Sequence, residues 1–187
     1  PSQYRAGTVN DQVLSLLDLT ASTLWIAGIQ RPPLMQSRIF LGPQADPPRT
    51  YAFAARDRID ETVNRIRSAR ESRYHYIRNF FPNRWPAGDP EDPNRNPPNW
   101  NQWKNITFIG YCDIDSSITK GYMAMHREEE KVQPLFELAF GKRPARELYD
   151  LKNDPYEMVN LADDPEYADV VKELDARLTS ELEKTGD

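Results

Sequence analysis

The segment Glu147-Leu-Tyr-Asp-Leu-Lys-Asn-Asp-Pro-Tyr-Glu-Met-Val-Asn-Leu-Ala162 constrains this chain more than any other stretch. Leu148, Tyr149 and Leu151 form a short β-prone run that stops at Asn153-Asp154-Pro155. Asp154 suits a helix N-cap, Pro155 the first helical position, and Glu157 the place where a capping box puts its acid. The segment therefore reads as a strand, a sharp turn and one helical turn. Directly after it, Asp164 caps and Pro165 opens an element in which Tyr167, Val170, Val171, Leu174, Leu178 and Leu182 recur at helical spacing. Asp169, Lys172, Glu173, Arg177 and Glu181 take the opposite side. The spacing predicts an amphipathic helix over 165–184, and its single apolar stripe needs a flat apolar partner, most simply a sheet.

Candidate strands for that sheet lie upstream, at about 50–56, 64–70 and 73–80, with 147–151 as a fourth. Tyr51 and Phe53 alternate with small residues in the first. The next two are joined at Arg70-Glu71-Ser72-Arg73 as a hairpin. Alternation puts Tyr74 and Tyr76 on one face, His75 and Ile77 on the other. Near the N-terminus, Val13-Leu-Ser-Leu-Leu17 is an apolar run. Asp18 can cap a helix through Leu19, Leu24, Trp25 and Ile26, with Gly28 as its stop. Thr119 to Phe140 reads as mainly helical, but Pro134 makes one uninterrupted helix implausible. Between them, 82–103 interleaves six prolines with Asn, Asp and Gly and is flanked by Trp85, Trp100 and Trp103. It reads as a loop without regular structure, long enough to be functional or packed on its own aromatics.

At 187 residues, with 39% hydrophobic and 28% charged, the chain can bury a real core beneath a polar surface. Sixteen prolines against eight glycines point to long ordered loops. No run approaches the roughly 18 apolar residues of a membrane span, and no charged-then-apolar N-terminal stretch suggests a signal peptide. No membrane partner is expected. A single cysteine, Cys112, excludes an internal disulfide. The net charge of −5 hides an asymmetry: 49–84 carries nine arginines against four acids, whereas acids outnumber bases about two to one from Glu128 onward. Exposed strand positions with scattered salt bridges would account for the arginines, as would a site for a small anion. Nucleic acid is disfavoured by the overall acidity and by the absence of a nucleic-acid module.

The chemistry-bearing residues are few. Cys112 has no basic sequence neighbour to favour its thiolate and reads as an inert thiol. Asp113 and Asp115 make a D-x-D with no later bidentate glutamate, so a solvated loop is expected rather than a calcium site. His75 reads as structural and His126 as a polar helix-face residue or a hydrogen-bonding group for substrate. The best site candidate is Arg56-Asp57-Arg58-Ile59-Asp60-Glu61, placed just after a strand end. Arginine grips sulfate or carboxylate with paired N–H donors, while Asp or Glu accepts from hydroxyls. Arg56, Arg58, Asp60, Glu61 and His126 are therefore the candidate substrate-binding residues, and a surface ion-pair network is the alternative.

Several of these segments together resemble the sulfatase family. Glu147–Ala162 is similar to the E-L-Y-D-L-x-x-D-P-x-E-x-x-N-L-A string that closes many sulfatases, and Val13–Ile29 to the family's V-S-L-V-D-L-A-P-T-L-L-D-L-A-G-I, with Ala21 and Ser22 where Pro-Thr is usual. Ala54–Glu61, Arg67–Arg70 and Arg73–Asn79 look like the branch that holds bacterial arylsulfatases and N-sulfoglucosamine sulfohydrolase-like proteins. The resemblance implies an α/β to α+β fold: the C-terminal part of an alkaline-phosphatase-like sulfatase, with an antiparallel sheet of about four strands packed by a C-terminal helix. It implies that 1–48 is a remnant of the large α/β catalytic domain, with an apolar surface left open, and that 49–187 is the C-terminal subdomain. It implies hydrolysis of sulfate esters or sulfamates of a sulfated carbohydrate, in a periplasmic or secreted enzyme. The family's nucleophile is a formylglycine made from a C/S-x-P-x-R motif, assisted by calcium. Cys112 is followed by Asp-Ile-Asp and does not match, so catalytic and metal residues are expected in a missing N-terminal half and this chain alone is expected to be inactive. A free-standing carbohydrate- or protein-binding module, or part of a phosphodiester or phosphonate hydrolase, are the competing readings.

Overall fold

Four antiparallel strands lie side by side in chain order: β1 (Ala52–Ile59), β2 (Thr62–Arg70), β3 (Tyr74–Asn79) and β4 (Arg146–Asp150). The computed structural model describes residues 7–59 and 61–187. Cross-strand pairing aligns Phe53, Ala69, Tyr76 and Leu148 in one row. Helix α5 (Ala168–Thr185) lays Val171, Leu174 and Leu178 on that row, and together these residues form the main apolar core. The Tyr76 hydroxyl donates to Asp175 Oδ1 at 2.7 Å, and burial together with that carboxylate raises its pKa. The expected helix is thus present, with one refinement: Asp164 caps Glu166 N, and Pro165–Tyr167 forms a 3-10 turn before the α-helix begins.

The signature segment differs from its sequence reading in one place. The strand forms, but the helical turn at 155–158 does not, because Glu157 adopts a left-handed φ of 56°. Its carboxylate meets His75 Nδ1 at 3.1 Å and Arg70 instead of capping a helix, and Asp154 Oδ2 accepts from Val159 N. Asn160 explains the following N-L-A. Its Oδ1 accepts from both Leu148 N and Ala162 N, and its Nδ2 donates to the Arg146 carbonyl. The segment is fastened along β4 by side-chain bonds rather than by a helix.

Helix α1 (Leu17–Ile26) begins two residues earlier than expected, so Asp18 is not its cap. Asp18 is buried in the first turn, where it takes two hydrogen bonds from Arg49 at 2.6 and 2.7 Å and backbone N–H bonds from Ser15 and Arg38. Burial alone would raise its pKa; the Arg49 guanidinium and the N–H donors outweigh that and hold it at about 2. Gly28 ends the helix as expected, at φ 71°, with Gly28 N bonded to Trp25 O and Ile29 N to Leu24 O. Leu16, Leu17, Leu19, Ile26 and Ile29 face outward, leaving an open apolar surface.

Residues 80–145 connect β3 to β4 and form a second layer. The irregular loop is shorter than expected: Asn99 and Gln102 build a reciprocal capping box that starts α2 (Trp100–Asn105). As Pro134 implied, the later helical stretch is two helices, α3 (Ile118–Met125) and α4 (Gln133–Phe140), with the proline in the first turn of α4. Trp85, Trp103, Phe136 and Phe140 pack around Tyr111, whose hydroxyl is pushed up to about 12 by burial.

Candidate functional site

The β1–β2 hairpin carries most of the candidate residues, and it reaches further than the sequence pattern indicates. Arg56–Ile59 belong to β1 itself, not to the loop after it. Two features extend the ladder. Asn64 and Arg65 oppose the single residue Asp57, a one-residue slip that increases local twist. Beyond it, Asp113 from the second layer caps the turn: Oδ1 accepts from Glu61 N at 3.0 Å and Thr62 N at 3.1 Å. Asp113 is therefore a buried acceptor, not the solvated loop residue expected from its D-x-D setting.

Arg56 lies beside this clamp. Its Nη2 donates to the Pro86 carbonyl at 2.6 Å and stands 3.7 Å from Asp113 Oδ2. Arg58 and Glu61 are exposed on the same hairpin. Asp60 lies outside the described residues. His126 caps the C-terminal end of α3, stacks on Tyr122 at 4.3 Å and pairs with Glu129 at 2.6 Å. The structure thus brings Arg56, Arg58 and Glu61 onto one hairpin and places His126 on a different element.

Arg56 also lines a cleft of about 490 Å³ between the two layers, on the sheet face opposite α5. Asn79, Glu147 and Tyr149, which sequence reasoning did not single out, form its polar floor. Asn79 Nδ2 and the Tyr149 hydroxyl donate to the two Glu147 oxygens at 2.7 and 2.5 Å. Burial, reinforced by Glu147, raises the Tyr149 pKa. Arg143, Glu157 and Asp113 stand around the rim. Period-two alternation places Asn79 with His75 and Tyr149 with Glu147, but the pairing that sets these two sets side by side, Ile77 opposite Glu147, is not in the pattern.

Much of the arginine density is spent internally. Arg67 pairs with Asp57 and Asp187, Arg73 with Asp150, Arg78 with Asp175, and Arg84 donates to the Val63 carbonyl. No cluster of three or more potential metal-ligating side chains occurs among the described residues. Cys112 precedes Asp113, whose carboxylate serves the hairpin amides, so these residues do not fit a formylglycine–calcium centre.

Residues 94–184 match the family described as N-sulphoglucosamine sulphohydrolase, C-terminal. All 187 residues align at 30% identity with an ulvan-active sulfatase from Formosa agariphila, of which the chain spans 28%. A second ulvan-active sulfatase of that organism is 25% identical, with 32% of its length spanned. The fold is shared with a solved 2-O GAG sulfatase, at TM-score 0.56 and 20% identity over 96% of this chain and 27% of the other. Along its whole length the chain is thus similar to the C-terminal part of sulfatases, and it spans less than a third of the length of the curated relatives it matches.

Proposed function

We propose that this chain is the C-terminal part of a longer sulfatase that hydrolyses sulfate esters or sulfamates of a sulfated carbohydrate. The observation that carries the reading is the 30% identity to an ulvan-active sulfatase over all 187 residues. Residues 49–187 form the supporting subdomain, and 1–48 belong with the large α/β catalytic domain, a division supported by the apolar surface of α1. The nucleophile and the calcium ligands belong to the catalytic domain, and no step of their chemistry is assigned to this chain. The chain alone is inactive on this reading.

The subdomain contributes recognition. Arg56, Arg58 and Glu61 are held on a hairpin whose turn is clamped by Asp113, so a guanidinium there meets an anionic sugar with little rearrangement of the backbone. Asp60 and His126 are the remaining candidates. In the complete sulfatase, Arg58→Ala raises KM for a sulfated oligosaccharide about tenfold, or about 1.4 kcal/mol, while the melting temperature is unchanged. Unaltered kinetics on every sulfated sugar tested would remove Arg58 from the site.

A further inference from the structure

A second basic cleft, of about 700 Å³, lies away from the β1–β2 turn, between the 38–53 segment and α5. Its charged lining is Arg38, Arg49, Arg177 and Lys184 against Glu173 and Glu181, an excess of two positive charges (four minus two) in a chain of net charge −5. Such a local reversal concentrates anions.

The guanidinium groups are pinned by the protein rather than left to sweep through solvent. Arg177 lies over the Tyr51 ring, 3.9 Å from its centroid. Arg49 is held by Asp18 through Nε and Nη2, and its Nη1 has no partner among the described residues. Arg38 donates through Nη1 to the carbonyls of Pro47 and Pro48 at 3.1 and 3.3 Å. Asp18 neutralises Arg49 closely, which leaves a net excess of one positive charge, while the two acids of the lining hold their partners only loosely. Glu173 stands 4.0 Å from Arg177 and also accepts from the Tyr51 hydroxyl at 3.2 Å, while Glu181 is 3.8 Å from Lys184. Pinned arginine forks lose less side-chain entropy when they close on an oxyanion than mobile lysines do. Thr50 and Ser180 add hydroxyls, and Tyr51 and Phe53 stack with centroids 6.5 Å apart, giving the cleft an apolar wall. The volume suits a ligand larger than a lone anion.

We propose that this cleft binds the sulfate or carboxylate groups of an anionic oligosaccharide, as a site separate from the β1–β2 hairpin. The ligand class rests on the sulfatase reading; the charge and geometry of the cleft do not. The test is calorimetric titration of the 187-residue chain with a sulfated ulvan oligosaccharide, its desulfated counterpart, sodium sulfate, and a single-stranded DNA of matched charge. The sulfated sugar binds with a Kd below about 1 mM, an affinity better than about −4 kcal/mol, and weakens as salt rises. Arg177→Gln and Lys184→Gln, each with an unchanged melting temperature, weaken it at least about threefold singly and about tenfold together, whereas Lys152→Gln, at an exposed lysine outside the cleft lining, leaves it unchanged. Failure of the sulfated sugar to bind the unmodified chain would overturn the proposal. So would equal binding by the desulfated sugar, by sulfate alone (a free-anion site) or by DNA (a generic polyanion surface). Loss on Arg58→Ala with no effect at Arg177 or Lys184 would move binding to the hairpin, overturning this site while leaving the proposed function standing.

Discussion

The two faces of the sheet are covered by different means. On one face, α5 sets Val171, Leu174 and Leu178 against Phe53, Ala69, Tyr76 and Leu148, regular elements meeting along regular rows. Beyond the other face, a layer of short helices and loops closes on Tyr111, ringed by Trp85, Trp103, Phe136 and Phe140. The first layer is specified by repetition, the second by a few large rings and by side chains that bond to backbone. A layer of the second kind concentrates its stability in single residues.

That contrast sets the largest expected effects. Tyr111→Ala removes the common partner of four rings and costs about 3–5 kcal/mol. In hydrogen exchange, the amides of 99–140 lose protection while those of β2, β3 and α5 keep most of theirs. Leu174→Ala costs about 2–5 kcal/mol and lowers protection across sheet and helix alike. If Tyr111→Ala instead released the sheet amides to the same extent, the two layers would be one cooperative unit and the contrast would fail.

The same contrast explains what could be read from the sequence. Helix α5, β3, β4 and the Arg70–Arg73 hairpin follow from periods of 3.6 and 2 and from turn residues, because a row of apolar side chains on a regular backbone must repeat. Gly28 and Pro134 were legible for a related reason: each has a backbone requirement that few residues meet. The misreadings occur where a side chain found a distant partner. Glu157 has the sequence position of a capping acid but is taken by His75 and Arg70 across the sheet. Asp18 looked like a cap but is taken by Arg49, and Asp113 looked solvated but holds the β1–β2 turn from about fifty residues away. Of the site, the arginine hairpin was visible as a composition; the floor of Asn79, Glu147 and Tyr149 was hidden because three neighbours in space come from two strands separated by a whole layer.

Lys120 sharpens the comparison, since the second layer buries a cation where the first buries leucines. Its ammonium donates to the carbonyls of Thr107, Tyr111 and Ile114 at 3.0, 3.0 and 2.7 Å, and burial lowers its pKa. Lys120→Met relieves the desolvation of a charge but removes the donor shared by three carbonyl groups, and each such loss costs about 1–3 kcal/mol. The net expectation is a destabilisation of about 2 kcal/mol, measured by urea titration. It should be accompanied by increased exchange at Glu61 and Thr62, because the loop fixed by Lys120 carries Asp113. A stable variant with a protected hairpin turn would show that aromatic packing alone orders this layer.

The smallest effect concerns the junction between α1 and the segment leading into β1, which Asp18 and Arg49 close. Asp18 has a folded pKa of about 2 against an ordinary value of 3.8, so the unfolded state binds the extra proton between those limits. The sign follows directly: the stabilisation is fully present above about pH 4 and is lost as pH falls towards 2, amounting to about 2 kcal/mol in all. Asp18→Asn should therefore lower stability by about that much at pH 7 and by progressively less in acid, until the two proteins converge near pH 2. Because Asp18 also orders the Arg49 guanidinium, the variant should loosen the α1 segment and the basic cleft together while the aromatic layer keeps its exchange protection. A constant difference between the two proteins from pH 7 down to pH 2 would mean that the buried carboxylate acts through shape rather than charge, and that the junction is packed like the layer around Tyr111 and not held by its ion pair.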